Sequence, residues 1–119
     1  CTYPMPCDVN LLEMSLKQFE GTHDFRDFTS KEEDEDGYVR TIYSVDVVNL
    51  EKVKQFIITF KGNGFMRYMI RNMVGTALAV ASHKEKEDYI IYHLSKKENR
   101  EIVPYKAPAE GLYLVDVNY

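Results

Sequence analysis

Residues 62–75, Gly62-Asn63-Gly64-Phe65-Met66-Arg67-Tyr68-Met69-Ile70-Arg71-Asn72-Met73-Val74-Gly75, restrict the fold more than any other part of this chain. A glycine turn leads into an apolar helix face, and two arginines stand one helical turn apart. Met66, Met69, Ile70, Met73, Val74, Ala77, Leu78 and Ala81 keep the three-and-four spacing of a buried face. Arg67, Arg71 and Gly75 fall four apart on the opposite stripe, where function is expected. Glycine in mid-helix costs about 1 kcal/mol relative to alanine, so a second backbone or a ligand is expected close to Gly75. Gly62-x-Gly64 admits two readings, a phosphate cradle at a helix N-terminus and a tight strand-to-helix turn, with the turn favoured.

Charge is divided along the chain. The 119 residues carry a formal charge of -4, yet Lys52 through Lys84 hold six Lys or Arg and no Asp or Glu. Acidity gathers in Glu32-Glu33-Asp34-Glu35-Asp36, read as a solvated loop. This distribution excludes a uniformly basic coat and permits one basic face for a polyanion such as nucleic acid. No apolar run reaches membrane-spanning length, and a soluble, cytoplasmic protein without a membrane partner is expected. Cys1 and Cys7 fit no common zinc spacing and read as free thiols. His23, His83 and His93 form no ligand motif, so no metal is assigned.

The hydrophobic pattern gives the coarse organisation. Residues 1–7 read as a linker or cut end, and 8–119 as one domain. Val9, Leu12, Leu16 and Phe19 predict a first helix over roughly residues 10–20, with Asn10-x-x-Glu13 as a capping box and Gly21 as the stop. The aromatic, aperiodic stretch from Gly21 to Thr29 reads as a packed loop or short turn. Val39, Thr41, Tyr43, Val45 and Val47 alternate with polar residues as one face of a strand, and Phe56, Ile58 and Phe60 as one face of a second. A hairpin connection at Asn49-Leu50-Glu51-Lys52 pairs them antiparallel. An apolar helix around Tyr89, Ile90, Ile91 and Leu94 follows, with Ser95-x-x-Glu98 as the cap of another, and a last strand covers Leu112 to Tyr119. The expected class is α+β, an antiparallel sheet with helices packed on one face.

Three blocks carry a family resemblance. Gly21-Thr22-His23-Asp24-Phe25, the stretch from Gly64 to Gly75, and Ala107-Pro108-Ala109-Glu110-Gly111-Leu112-Tyr113-Leu114-Val115 stand in order and at suitable separations. Together they resemble the C-terminal half of the TruA-type tRNA pseudouridine synthases, over nearly the whole chain. Ala81-Ser82-His83 departs from a glycine the family often has there, which touches only a loop. The resemblance implies a pseudouridine synthase fold of two related halves and a homodimer. It implies isomerisation of uridine to pseudouridine in the tRNA anticodon stem-loop, without cofactor or metal. It also implies a nucleophilic aspartate in a Gly-Arg-Thr-Asp motif of the N-terminal half, and no Arg-Thr-Asp occurs in these residues. This chain alone is therefore expected to be inactive and to need that N-terminal domain as partner.

By the same resemblance Arg71 pairs with the aspartate, holding it ionised and aimed. Leu112, preferred over Leu114, walls the base pocket. Arg67 and Lys61 are candidate RNA phosphate contacts, while His23, Asp24 and Asn72 are candidates for pocket support, with a structural hydrogen bond the alternative for the first two. A face left apolar by separation from the other half is expected to include Tyr38, Ile42, Leu112 and Leu114. The alternative function is a non-catalytic RNA-binding or scaffolding α+β module. A small hydrolase built on His23 and Asp24 lacks a positioned nucleophile.

Overall fold

The computed structural model describes residues 8–30, 37–50, 52, 55–95, 100–107 and 113–118. The linker with Cys1 and Cys7, the acidic run, Leu112 and Glu98 lie outside the described residues.

Helix α1 (Val9–Lys17) starts one residue earlier than the pattern predicts, because Asp8 caps it. The Asp8 carboxylate accepts from the Leu11 N–H at 3.1 Å, which satisfies one of the free donors of the first turn. Asn10 and Glu13, the expected capping box, are both exposed. Leu12, Leu16 and Phe19 reach the core as the spacing requires. Gly21 is not the helix stop. It has φ +106 and opens strand β1 (Gly21–Asp24), which pairs antiparallel with the next strand before a 3-10 turn over Arg26–Phe28. The expected loop is thus a four-residue strand and a turn, too short for either to leave a period in the sequence. Phe25 and Phe28 are fully buried from that turn.

Strand β2 (Val39–Leu50) and strand β3 (Gln55–Gly62) form the predicted antiparallel pair, with Leu50 opposite Gln55 and Ile42 opposite Gly62. The face assignment holds for only half of β2. The register slips between Ile42 and Ser44, and such a bulge moves every residue before it to the other face. Val45 therefore points into the core with Ile58 and Phe60. Before the slip it is Tyr38 and Ile42 that are buried, while Val39 and Tyr43 are 53% and 62% exposed. Tyr38 and Ile42 consequently do not belong to an exposed apolar face; the open side of the sheet carries Val39, Tyr43 and Val48 instead. Gly62 is required at its position, since a β-carbon there would stand 2.7 Å from the Thr41 carbonyl oxygen. Asn63 closes the turn by exchanging bonds with the Thr41 backbone. The helix starts only at Met69, so Gly62-x-Gly64 makes a turn and no helix N-terminus.

Helix α2 (Met69–Ala81) buries Met69, Met73, Val74, Ala77, Leu78 and Ala81 against the sheet and α1. Met66, in the preceding turn, joins the same core. Helix α3 (Tyr89–Ser95) ends on Ser95, whose hydroxyl donates back to the Ile91 and Tyr92 carbonyls. Strand β4 (Tyr113–Asn118) lies beside β3 and parallel to it, in sheet order β1-β2-β3-β4. The parallel last strand corrects the fully antiparallel expectation. The chain crosses the helical layer and returns to the end of the sheet where β3 began, so β4 runs in the same sense as β3. The α+β class and the single helix-covered face stand as expected.

Replacing the cap separates the two readings of the N-terminus of α1. Asp8→Ala should lower stability by about 1 kcal/mol and Asn10→Ala by less than about 0.5 kcal/mol, measured by urea denaturation.

Candidate functional site

Residues 100–107 cross the helical layer without regular structure, held by a succession of hydrogen bonds. Arg100 Nε donates to the Arg26 carbonyl at 2.9 Å, the Glu101 N–H to Asp27 Oδ1 at 2.8 Å and the Val103 N–H to the Asp27 carbonyl at 2.8 Å. The Tyr105 hydroxyl donates to Glu85 Oε2 at 2.6 Å. That bond, with burial and the Glu85 charge, pushes the Tyr105 phenol up to about 12. The strap ends against Gly75. A β-carbon on Gly75 would lie 2.6 Å from the Ala107 nitrogen and 2.8 Å from the Lys106 nitrogen, so the backbone expected to pass close to Gly75 is this strap.

That close approach fixes Arg71. The Ala107 N–H donates to the Arg71 carbonyl at 2.9 Å and Arg71 Nε donates to the Ala107 carbonyl at 2.8 Å. The pair holds the half-buried guanidinium by its Nε edge and, among the described residues, leaves its two terminal nitrogens for another acceptor. Tyr68 stands beside it at the N-cap position of α2, exposed and at φ 60. Three cations surround the Tyr68 ring: Lys106 Nζ is 4.0 Å from its centre, Arg67 Cζ 5.1 Å and Arg71 Cζ 5.9 Å. Hydrogen bonding from the Arg67 side chain and the positive charges of Arg67, Lys106 and Arg71 hold the phenol below its usual value. Among the described residues no carboxylate pairs with these three cations.

A second buttress comes from the turn after β1. Asn72 Nδ2 donates to the Phe28 carbonyl at 3.0 Å, and the Thr29 hydroxyl donates to the Arg67 carbonyl at 2.7 Å. Asn72 thus ties the base of α2 to this turn. His23 and Asp24 act locally. The His23 ring is 2.8 Å from the Glu20 carbonyl, and Asp24 bonds the Arg26 backbone and guanidinium. Burial raises the Asp24 carboxyl, but the hydrogen bonds and charge of Arg26 outweigh it and hold it below 3.8. Its stabilising share is thus present above the unfolded value and lost as pH falls through the folded one. Beneath the turn, Asp27 and His93 form a buried pair at 2.6 Å that the sequence pattern did not reveal.

The structure brings Arg67 and Arg71 together, adds Lys106 and Tyr68, and leaves Lys61 apart. Lys61 follows the buried Phe60 in β3 and so faces the open side of the sheet. A cavity of about 900 Å³ lined by Met14, Val80, His83 and Tyr89 lies at the opposite end of α2. It holds none of the charged cluster.

Comparison with known proteins shows the family. The family described as tRNA pseudouridine synthase matches residues 16–119. The chain belongs to the tRNA pseudouridine synthase family. It is 41% identical over 117 residues to tRNA pseudouridine synthase A 1 of Bacillus cereus, covering 98% of this chain and 46% of that protein. It is 42% identical over 117 residues to the protein of that name in Bacillus thuringiensis subsp. konkukian, with the same coverage. For tRNA pseudouridine synthase A of Streptococcus pneumoniae the identity is 38% over 118 residues, 98% of this chain and 47% of that protein. The chain thus spans about half the length of the curated relatives it matches. In this member of the family, the motif around Arg71 sits between the strap and the turn after β1.

Gly75→Ala tests the close approach. An exposed helical glycine gains up to about 1 kcal/mol on this change, but here the new β-carbon meets backbone, and overpacking of this kind costs about 1–3 kcal/mol. A net loss of stability in thermal or urea unfolding is the expected result.

Proposed function

We propose that this chain supplies Arg71 and an RNA-holding surface to a tRNA pseudouridine synthase that isomerises uridine in the anticodon stem-loop. The observation that carries this reading is the geometry of Arg71, anchored through Nε to the Ala107 carbonyl with its terminal nitrogens uncommitted among the described residues. A guanidinium held this way offers a two-pronged seat for a carboxylate. The nucleophilic aspartate is assigned to the half of the relatives' length that this chain does not span, since no Arg-Thr-Asp occurs in it.

In the proposed reaction the target uridine leaves its stack. The bond from N1 to C1′ breaks, the detached uracil turns in the pocket, C5 bonds to C1′, and the C5 proton is lost while N1 gains one. Arg71 keeps the attacking carboxylate ionised and aligned through these steps. Leu112 is proposed as the apolar wall against the base. No cofactor or metal is invoked. The N-terminal domain, tRNA and a second copy of the protein are the proposed partners, in the cytoplasm. A cover over Val39, Tyr43 and Val48 on the open sheet face fits such partners.

Release of tritium from C5-labelled uridine in unmodified tRNA measures the reaction directly. The full-length protein should turn over, and the 119-residue chain by itself should not. Arg71→Lys in the full-length protein should lower kcat by about 100-fold. Its stability loss should stay near 1 kcal/mol, from the bond to the Ala107 carbonyl. A full-length protein that binds tRNA and releases no tritium would favour an RNA-binding module without chemistry.

A further inference from the structure

The start of α2 is built unlike an ordinary helix N-terminus. The N-cap position usually carries a Ser, Thr, Asp or Asn whose oxygen takes up the first amide donors. Here it carries Tyr68, which makes no side-chain cap bond, and the first turn holds no acidic residue. Among the described residues, neither the Ile70 N–H nor the Arg71 N–H has a backbone acceptor. Tyr68 takes the left-handed conformation, rare for a residue with a β-carbon, and this sets its ring at the surface beside Lys106, Arg67 and Arg71.

Like charges gathered on one ring repel each other, and nothing acidic among the described residues offsets them. Arg71 is already committed through Nε to the strap. Arg67 and Lys106 are both exposed, and they come from different segments, one before α2 and one from the end of the strap. Among the described residues what they share is the Tyr68 side chain: its electron-rich ring attracts both, and its hydroxyl accepts a hydrogen bond from Arg67. A neutral side chain thus holds two cations with no carboxylate partner among the described residues at the positive end of a helix, an arrangement complementary to one anionic group spanning them.

We propose that Tyr68 acts as a post that holds Arg67 and Lys106 around a phosphodiester group of the RNA, next to the uridine that Arg71 serves. Lys106 and Tyr68 are positioning residues for the bound strand, and the proposal rests on the tRNA synthase reading above. The phosphate contact fixes the strand and reads no sequence. Its removal therefore acts on binding and on the salt dependence of binding, while the chemical step keeps its rate.

The test is binding of unmodified tRNA to the full-length protein across a KCl series, alongside steady-state turnover. Lys106→Gln should weaken binding by about fivefold at 0.15 M salt and reduce the slope of log K against log salt by about 0.7–0.9. KM should rise in proportion with kcat unchanged. Tyr68→Ala should shift binding in the same direction, and Tyr68→Phe, which keeps the ring but loses the hydrogen bond from Arg67, should shift it less. A slope that ignores Lys106→Gln, or a loss confined to kcat, overturns the proposal, as does a Tyr68→Ala protein that binds tRNA like the unaltered one. Failure of the two readings is distinguishable. A protein that binds tRNA with these slopes but releases no tritium supports the post and defeats the enzyme assignment, whereas turnover with a slope insensitive to Lys106 defeats the post alone.

Discussion

The contact of Gly75 with the backbone of Lys106 and Ala107 is the constraint on which the site depends. Only a missing side chain lets the strap lie on α2 closely enough for Ala107 and Arg71 to exchange two hydrogen bonds. One of these bonds uses the Arg71 backbone and the other its Nε, so the same contact fixes the helix position and the side-chain direction. A buried bond of this kind contributes about 1 kcal/mol net. Its larger consequence is geometric, because it removes the freedom a long arginine side chain would otherwise have. Lys106 reaches the ring of Tyr68 only because its backbone is seated there too.

The strap would not hold its register through one contact alone. Asp27 anchors its start, accepting from the Glu101 and Val103 amides and contacting His93 at 2.6 Å in a fully buried setting. Removing one partner of such a pair leaves a buried polar group unsatisfied, which costs far more than the net worth of the bond. Asp27 lies in the same short turn that bonds Asn72 and Arg67 from the other side. That turn, with Thr29 directly after it, thus links α3, the strap and the N-terminal end of α2. The apolar core under it, from Phe25, Phe28, Met69 and Met73, keeps these polar links away from water.

Much of this was legible in the sequence where a period had room to repeat. The buried face of α2 follows from thirteen residues of regular spacing, and β3 from its alternating Phe56, Ile58 and Phe60. The faces of β2 were misread before Tyr43 because a bulge carries no signature in an otherwise regular alternation. β1 escaped because four residues are too few, and α1 began earlier because Asp8 outcompeted Asn10 for the cap. β4 was read as a strand, but its direction depends on a crossover that local pattern does not encode. At the site, Arg71 and Arg67 stood out as members of a spaced motif, and Gly75 as a helical glycine needing a reason. Lys106 sits in an irregular strap, where a lone lysine between Tyr105 and Ala107 has no period to mark it. Asp27 and His93 are 66 residues apart in sequence and meet only through the fold.

Amide hydrogen exchange at Ala107 tests the central claim most directly. If the strap is seated on Gly75 and bonded to the Arg71 carbonyl, the Ala107 amide should exchange as slowly as amides in the interior of α2, such as that of Ala77. Exchange at the rate of an exposed loop amide, with α2 itself protected, would contradict the account, because Arg71 would then be aimed by something other than the strap.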